Sequence, residues 1–228
     1  VGHGRGAAYG DAIGRILEST GSIVEKEYYV NDAGRQIDIL TASVILRLIK
    51  NDISNYFPAN GYKGEYIDEI GKKLDKKVKI QDFKSLSIKS SEDPEEEIDN
   101  IIHELEKLNN NSWNLIKKFS LKEIVKSIEY DLKAFNVNFD KWFYESSLGR
   151  IDDDSSDIAL SVNKLIKDGH AYEKDKAIWL NTDISGDDKH RVLVRDNGKA
   201  TYFASDVAYH KNKIDRGFDK LINVWGEI

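Results

Sequence analysis

The sequence predicts an α/β fold built on a parallel sheet and interrupted by a largely helical insertion. Three observations lead there. The first 50 residues read as loop, helix, strand, loop, helix, which is half of a parallel α/β sheet. From Asn51 to about Asn136 the texture changes to helical spacing with blocks of charge. Strand-like alternation then returns at Ile178 to Leu180 and Arg191 to Arg195, ahead of a closing helix.

Each element has a local reason. Ala8, Ala12, Ile13, Ile16 and Leu17 lie on one face of a helix expected over Ala7 to Thr20, and Gly21 is its natural stop. Ile23 to Val30 is a β-branched and aromatic run ended by Asn31-Asp32, and a second helical pattern spans Gly34 to Lys50. In the insertion, Lys72 to Lys77 is basic and Glu92 to Glu97 acidic, and both runs are expected to be solvated faces. Pro94, followed by three Glu residues, suits the first turn of a helix: its missing N–H costs nothing there and the carboxylates face the positive dipole end. The turn Gly186-Asp187-Asp188 separates the two late strands, a helix is expected from about Ala204 to Arg216, and an apolar run from Leu221 to Trp225 follows.

Composition removes whole classes of function. With 34 basic against 40 acidic residues the 228-residue chain has a net charge of −6, so it does not hold nucleic acid by overall charge, and any such partner must meet a local patch. A 40% hydrophobic fraction with only 2 Pro supports a core and excludes disordered and collagen-like classes. There is no Cys, which excludes a disulfide scaffold and Cys-ligated metal and suits a reducing compartment. The longest apolar stretch, Ile37 to Ile49, is broken by Asp38 and Arg47 and falls short of the roughly 20 residues a bilayer requires, so no membrane span is expected. Because the chain opens on Val1 in what reads as the middle of a loop, a fragment is expected.

The segment Gly2-His3-Gly4-Arg5-Gly6 ahead of the first helix can cradle a phosphate, since such a turn offers free N–H groups and a positive dipole end; an ordinary tight turn is the competing reading. Tyr202 and Asp206 are four apart, hence on one helix face, and a carboxylate meeting a planar, permanently charged guanidinium bidentately is the strongest pairing available to such a ligand. His210, one turn further, faces the same side, where touching a nucleotide and merely packing are both open. His103, His170 and His190 are expected at the surface, and no His/Asp/Glu group has metal-ligand spacing, so the metal expectation is none.

Longer stretches carry a resemblance: V-G-H-G-R-G-A-A-Y-G-D from Val1, Y-Y-V-N-D-A-G-R-Q from Tyr28, Asn138 to Phe143, D-K-H-R-V-L-V-R-D-N-G from Asp188, T-Y-F-A-S-D-V-A-Y-H from Thr201, and Arg216 to Asp219. Together they resemble the catalytic domain of bacterial-type arginyl-tRNA synthetases, in order, over nearly the whole chain. The resemblance implies a class I synthetase with a Rossmann-type parallel sheet whose two halves are separated by a connective insertion; the change of texture near Asn51 and its reversal near Gly186 place residues 1–50 as the first half, 51–186 as the insertion and 187–228 as a truncated second half. The family's His-x-Gly-His signature is present as Val1, Gly2 and His3, lacking its first His, and Glu227 stands where the family usually has Ala.

In that family arginine's carboxylate attacks the α-phosphate of ATP, pyrophosphate leaves, and the adenylate esterifies the terminal ribose of tRNA. The resemblance gives His3 the catalytic role of donor to the phosphates, Gly2, His3 and Gly4 the ATP, and Tyr202 and Asp206 the arginine. Asn31, Asp32, Gly34 and Gln36 form an active-site loop, at the carboxyl end of a strand where a doubly wound sheet meets its ligand. The implied partners are L-arginine, ATP and tRNA(Arg), with Mg2+ arriving on ATP, no membrane, and a cytoplasmic monomer. Because the second signature loop and the anticodon-reading domain lie outside the sequence, the fragment by itself is expected to be inactive or impaired. The rival reading is a non-catalytic, synthetase-like module for RNA interaction or assembly.

Overall fold

A computed structural model describes residues 2–49, 57–74, 78, 80–88, 91–183, 186 and 189–225. Val1, Asn51, residues 75–77 of the basic run, Asp187-Asp188 and Glu227 lie outside the described residues, as do the side chains of Gly2 and His3. The chain divides into two compact units, one formed by residues 1–30 and 138–228, the other by residues 31–137.

In the first unit, helix α1 (Gly2–Ser19) ends as expected at Gly21. Ser22 N–H donates to the Leu17 carbonyl and Gly21 N–H to that of Glu18, both at 3.0 Å, a Schellman closure whose left-handed residue, Gly21 with φ 91°, has no Cβ to oppose it. Two expectations for this segment are corrected. Gly2 to Gly6 is the first turn and a half of α1 rather than an open loop; nothing there forbids a helix, since glycine only weakens one and no Pro interrupts it. The apolar stripe is not the packed face: Ile16 is 63% exposed, Ala8 and Ala12 are exposed, and the buried positions are Asp11 and Gly14. The reason is Lys26, which donates to Asp11 across 3.0 Å and lies against Gly14, where a Cβ would meet its Cδ at 3.2 Å.

Strand β1 (Glu27–Val30) pairs in parallel with β2 (Lys141–Tyr144), Tyr28 opposite Trp142 and Tyr29 opposite Phe143. Helix α6 (Asp157–Lys167), capped by the Ser156 hydroxyl accepting from Ala159 N–H, follows β2. Strands β3 (Ala171–Lys174), β4 (Ala177–Leu180) and β5 (Arg191–Val194) then form an antiparallel meander. The two late strands expected from sequence are therefore present but belong to a sheet of their own, not to the parallel pair. Helix α7 (Tyr202–Asp215) ends the regular structure, and residues 221–225 are irregular and mostly exposed. Phe143, Leu148, Val162, Leu193, Ala204 and Ala208 supply the core.

Among the described residues the regular structure of the second unit is helical, with α2 (Arg35–Leu48), α3 (Glu65–Leu74), α4 (Pro94–Leu108) and α5 (Asn110–Ala134). Its centre is α2, where nine consecutive or near-consecutive residues from Ile37 to Leu46 are buried, as a helix enclosed by others requires. Thr41 and Ser43, both fully buried, donate their hydroxyls to carbonyls four residues back at 2.7 Å. The start of α4 is as read from sequence, with Asp93 accepting from Glu95 N–H at 2.9 Å ahead of Pro94. These contacts do not follow the boundaries at 50/51 and 186/187: α2 packs on α3, α4 and α5, while β2 at 141–144 pairs with β1.

Candidate active site

Helix α7 presents the expected pair. Thr201 caps it, accepting from Ala204 N–H at 3.4 Å while its own hydroxyl donates to the Val192 carbonyl of β5 at 2.7 Å. One short side chain thus starts the helix and ties its start to the meander. Tyr202 follows, 59% exposed, and Asp206 lies one turn on, also exposed. Asp206 enters no ion pair or side-chain hydrogen bond among the described residues, and partial desolvation pushes its carboxyl pKa above the usual aspartate value against the opposing pull of His210 and Lys213.

Tyr202 also lines an open cleft of about 610 Å³ between β5 and the start of α7, shared with Arg191, Arg195, Thr182 and Phe203. Nothing in the sequence pattern singles out these two arginines, although both stand in the quoted D-K-H-R-V-L-V-R stretch. Two guanidinium groups beside two exposed aromatic rings can hold an anionic ligand and stack on its rings.

The remaining expected residues fall as follows. Gly4 is in α1 with nothing within 4 Å of where a Cβ would stand. Asn31, Asp32 and Gly34 lead into α2 at the start of the second unit, whereas Gln36, expected in the same loop, is in the helix's first turn, which begins at Arg35. There Asn31 Oδ1 accepts from Gly34 N–H at 3.1 Å, and a Cβ on Gly34 would meet that oxygen at 2.6 Å. The bond spans three residues, and a side chain at Gly34 would have to displace the Asn31 amide. His210 turns its Nδ1–H to the Asp206 carbonyl at 2.8 Å, a back-bond within α7. His103 and His170 are exposed, whereas His190 is partly covered and sits between Tyr172 and Asp183, its Nε2 3.1 Å from the Asp183 carboxylate. No group of three or more His, Asp or Glu side chains among the described residues could hold a metal ion.

A network missed in the sequence lies further along α7. Tyr209 donates its hydroxyl to Glu27 Oε1 of β1 at 2.5 Å, and Arg216 Nη1 stands 2.7 Å from Glu25 and 2.8 Å from Glu27 Oε2. The Tyr209 ring lies 4.8 Å from that of Tyr29 and 4.6 Å from that of Phe143. Burial and the Glu27 carboxylate both push the phenol pKa far up, so Tyr209 stays a donor.

A parallel strand pair, a separate antiparallel meander and the helices around them make a mixed α/β domain, and the comparisons place it in the class I synthetase type. Residues 1–226 match the family model described as class I tRNA synthetases (R), catalytic domain, and the chain belongs to that family. It is 42% identical to an arginine–tRNA ligase of Thioalkalivibrio sulfidiphilus over 99% of its own length and 40% of the relative's. It is 41% identical to the arginine–tRNA ligase of Psychrobacter cryohalolentis with the same coverage. A solved structure from Campylobacter jejuni, described as an arginyl-tRNA synthetase, superposes with a TM-score of 0.76 at 30% identity, covering 99% of this chain and 44% of that one. The chain therefore spans about 40% of the length of the curated relatives it matches. No helix among the described residues is long and apolar enough to cross a membrane.

Proposed function

We propose that this chain carries the amino-acid-activating site of an arginine–tRNA ligase, with Asp206 as the carboxylate that receives the guanidinium of L-arginine and Tyr202 as its neighbour on the same face. The observation that carries the reading is the Asp206 carboxylate: solvent-accessible, partly desolvated, and without an ion-pair partner among the described residues. A cationic substrate would supply the missing charge, and arginine's planar fork matches a carboxylate bidentately.

In the reaction so assigned, arginine's carboxylate attacks the α-phosphate of ATP, the bond to pyrophosphate breaks, and the aminoacyl group passes from the adenylate to the terminal ribose of tRNA(Arg). ATP supplies the phosphoryl electrophile and arrives with Mg2+. Gly2, His3 and Gly4 are assigned to the nucleotide, His3 as donor to the phosphates as charge shifts onto the leaving pyrophosphate. Asn31, Asp32, Gly34 and Gln36 are assigned to an active-site segment at the start of the second unit. Placement in the cytoplasm as a monomer is part of this reading; a chain without Cys suits a reducing compartment.

Amino-acid-dependent exchange of pyrophosphate into ATP, run on the full-length protein with each of the standard amino acids, tests the assignment. Exchange dependent on arginine alone supports it. No exchange with any amino acid, with tRNA binding retained, overturns it in favour of a non-catalytic RNA-interaction module.

A further inference from the structure

Tyr202, Asp206, Tyr209, Lys213 and Arg216 are spaced 4, 3, 4 and 3 along α7, so all five lie within about 40° of one line on the helix surface. The stripe has two ends with different surroundings. At the N-terminal end Tyr202 and Asp206 are exposed. At the C-terminal end Tyr209, 8% exposed, and Arg216 grip Glu27, whose side chain is 9% exposed on strand β1. Lys213 joins the C-terminal end, with its ammonium 3.9 Å over the Tyr209 ring and 3.1 Å from Asn223 Oδ1.

We propose that Glu27 and Arg216, acting through Tyr209, are positioning residues that set the direction in which Asp206 faces. The inference rests on the reading of Asp206 as the guanidinium-binding carboxylate. On the side of α7 away from the stripe the buried residues are Ala204 and Ala208, whose methyl groups offer no polar contact to fix the helix's rotation. The Glu27 clamp defines it well, because a phenol O–H and a guanidinium must reach two oxygens of one carboxylate. Glu27 Oε2 receives Arg216 as an ion pair without an aligned hydrogen bond, so only the Tyr209 contact is strongly directional. Asp206 and Tyr209 are three residues apart on an unbroken helix. A rotation that released Tyr209 from Glu27 would turn Asp206 by the same angle.

The test uses the full-length ligase containing this chain and measures KM for arginine, KM for ATP and kcat in pyrophosphate exchange for Glu27→Gln, Tyr209→Phe and Arg216→Lys, with the thermal midpoint of each. The expected result is a rise of about 5- to 30-fold in the arginine KM for Glu27→Gln and Tyr209→Phe, with the ATP KM within about twofold, and a smaller rise for Arg216→Lys, which retains the charge. A merely structural role would lower the thermal midpoint and kcat while leaving the arginine KM within twofold, or raise both KM values alike; either result overturns the proposal. If Glu27→Gln does not fold, Tyr209→Phe, which loses one hydroxyl and keeps the ring, decides alone. Asp206→Asn is the separating arm. If it abolishes arginine-dependent exchange while Glu27→Gln and Tyr209→Phe leave the arginine KM unmoved, only the positioning inference falls. If it leaves that exchange intact, the reading of the site falls and the inference with it.

Discussion

The hydroxyl of Tyr209 meets the carboxylate of Glu27 across 2.5 Å although 182 positions separate them in the chain. The contact joins the strand that opens the parallel pair to the helix that carries Tyr202 and Asp206. It is a long-range pair between two polar residues, so no local periodicity announces it.

A second pairing, of Asp11 with Lys26 and Arg15, predicts how the fold responds to acid. Burial alone would raise the pKa of Asp11, but the Lys26 hydrogen bond and charge, with Arg15 at 2.6 Å, outweigh it and hold the carboxyl below the usual aspartate value. A carboxylate whose pKa is lower folded than unfolded contributes in full above its unfolded value of about 3.9, and that contribution disappears as pH falls through the folded value. Asp11→Asn should therefore lower stability at pH 7 by about 1–3 kcal/mol, with the difference from the parent closing as pH drops below about 4. Urea unfolding at pH 7 and pH 3 measures it; an equal difference at both would contradict the ion-pair account.

Two glycines with positive φ should respond differently to alanine. Gly21 has φ 91° and open space around the missing Cβ, so Gly21→Ala should cost only the left-handed conformation, about 1 kcal/mol. Gly149 has φ 75° and ψ −155°, a region essentially reserved for glycine, and a Cβ there would stand 2.6 Å from that of Ser156. Ser156 donates to the Arg150 carbonyl and caps α6, so displacing it removes a cap as well. Gly149→Ala should cost about 2–4 kcal/mol. Chemical denaturation of both variants checks the order, and a smaller loss at Gly149 would be contrary to it.

Where α2 packs decides which deletion is tolerated. Removing residues 51–136 would take away α3, α4 and α5 and leave Leu40, Val44 and Ile45 of α2 bare. That product should aggregate. Removing residues 31–137 and joining Val30 to Asn138 through about 12 Gly/Ser residues, enough for a parallel crossover, should leave a folded first unit. Size exclusion and circular dichroism distinguish the two; a monomeric, folded product from the shorter deletion would show that α2 belongs elsewhere.

The elements legible in the sequence were those with a local signature. Gly21 after an amphipathic run, Asp93-Pro94 ahead of three Glu residues, and the largely apolar run of α2 each report their structure within a few residues. Strand β2 was not legible: Lys141 to Tyr144 is four residues long, too short for periodicity, and its pairing with β1 crosses more than a hundred positions. The packed face of α1 was misread because a charged pair, Asp11 with Lys26, holds it rather than its isoleucines. At the candidate site, the spacing and the resemblance single out Tyr202 and Asp206, and both lie exposed on α7. Arg191 and Arg195 were not legible, because their shared cleft with Tyr202 arises only when β5 folds back beside the start of α7.

The most direct measurement is arginine-dependent pyrophosphate exchange by the full-length enzyme carrying Asp206→Asn, with Tyr202→Phe beside it. Asparagine keeps the shape and removes the charge, and a bound guanidinium left without its carboxylate costs on the order of 3–5 kcal/mol, roughly two to four powers of ten. The account predicts that exchange at fixed arginine collapses by that factor while ATP affinity changes little, and that Tyr202→Phe, losing one hydroxyl, is milder. In the parent, arginine affinity should also weaken as pH falls through the raised Asp206 pKa, since the protonated carboxyl offers no charge. Arginine dependence in Asp206→Asn that stays within about threefold of the parent, a change worth under about 1 kcal/mol, would contradict the account and put the guanidinium elsewhere.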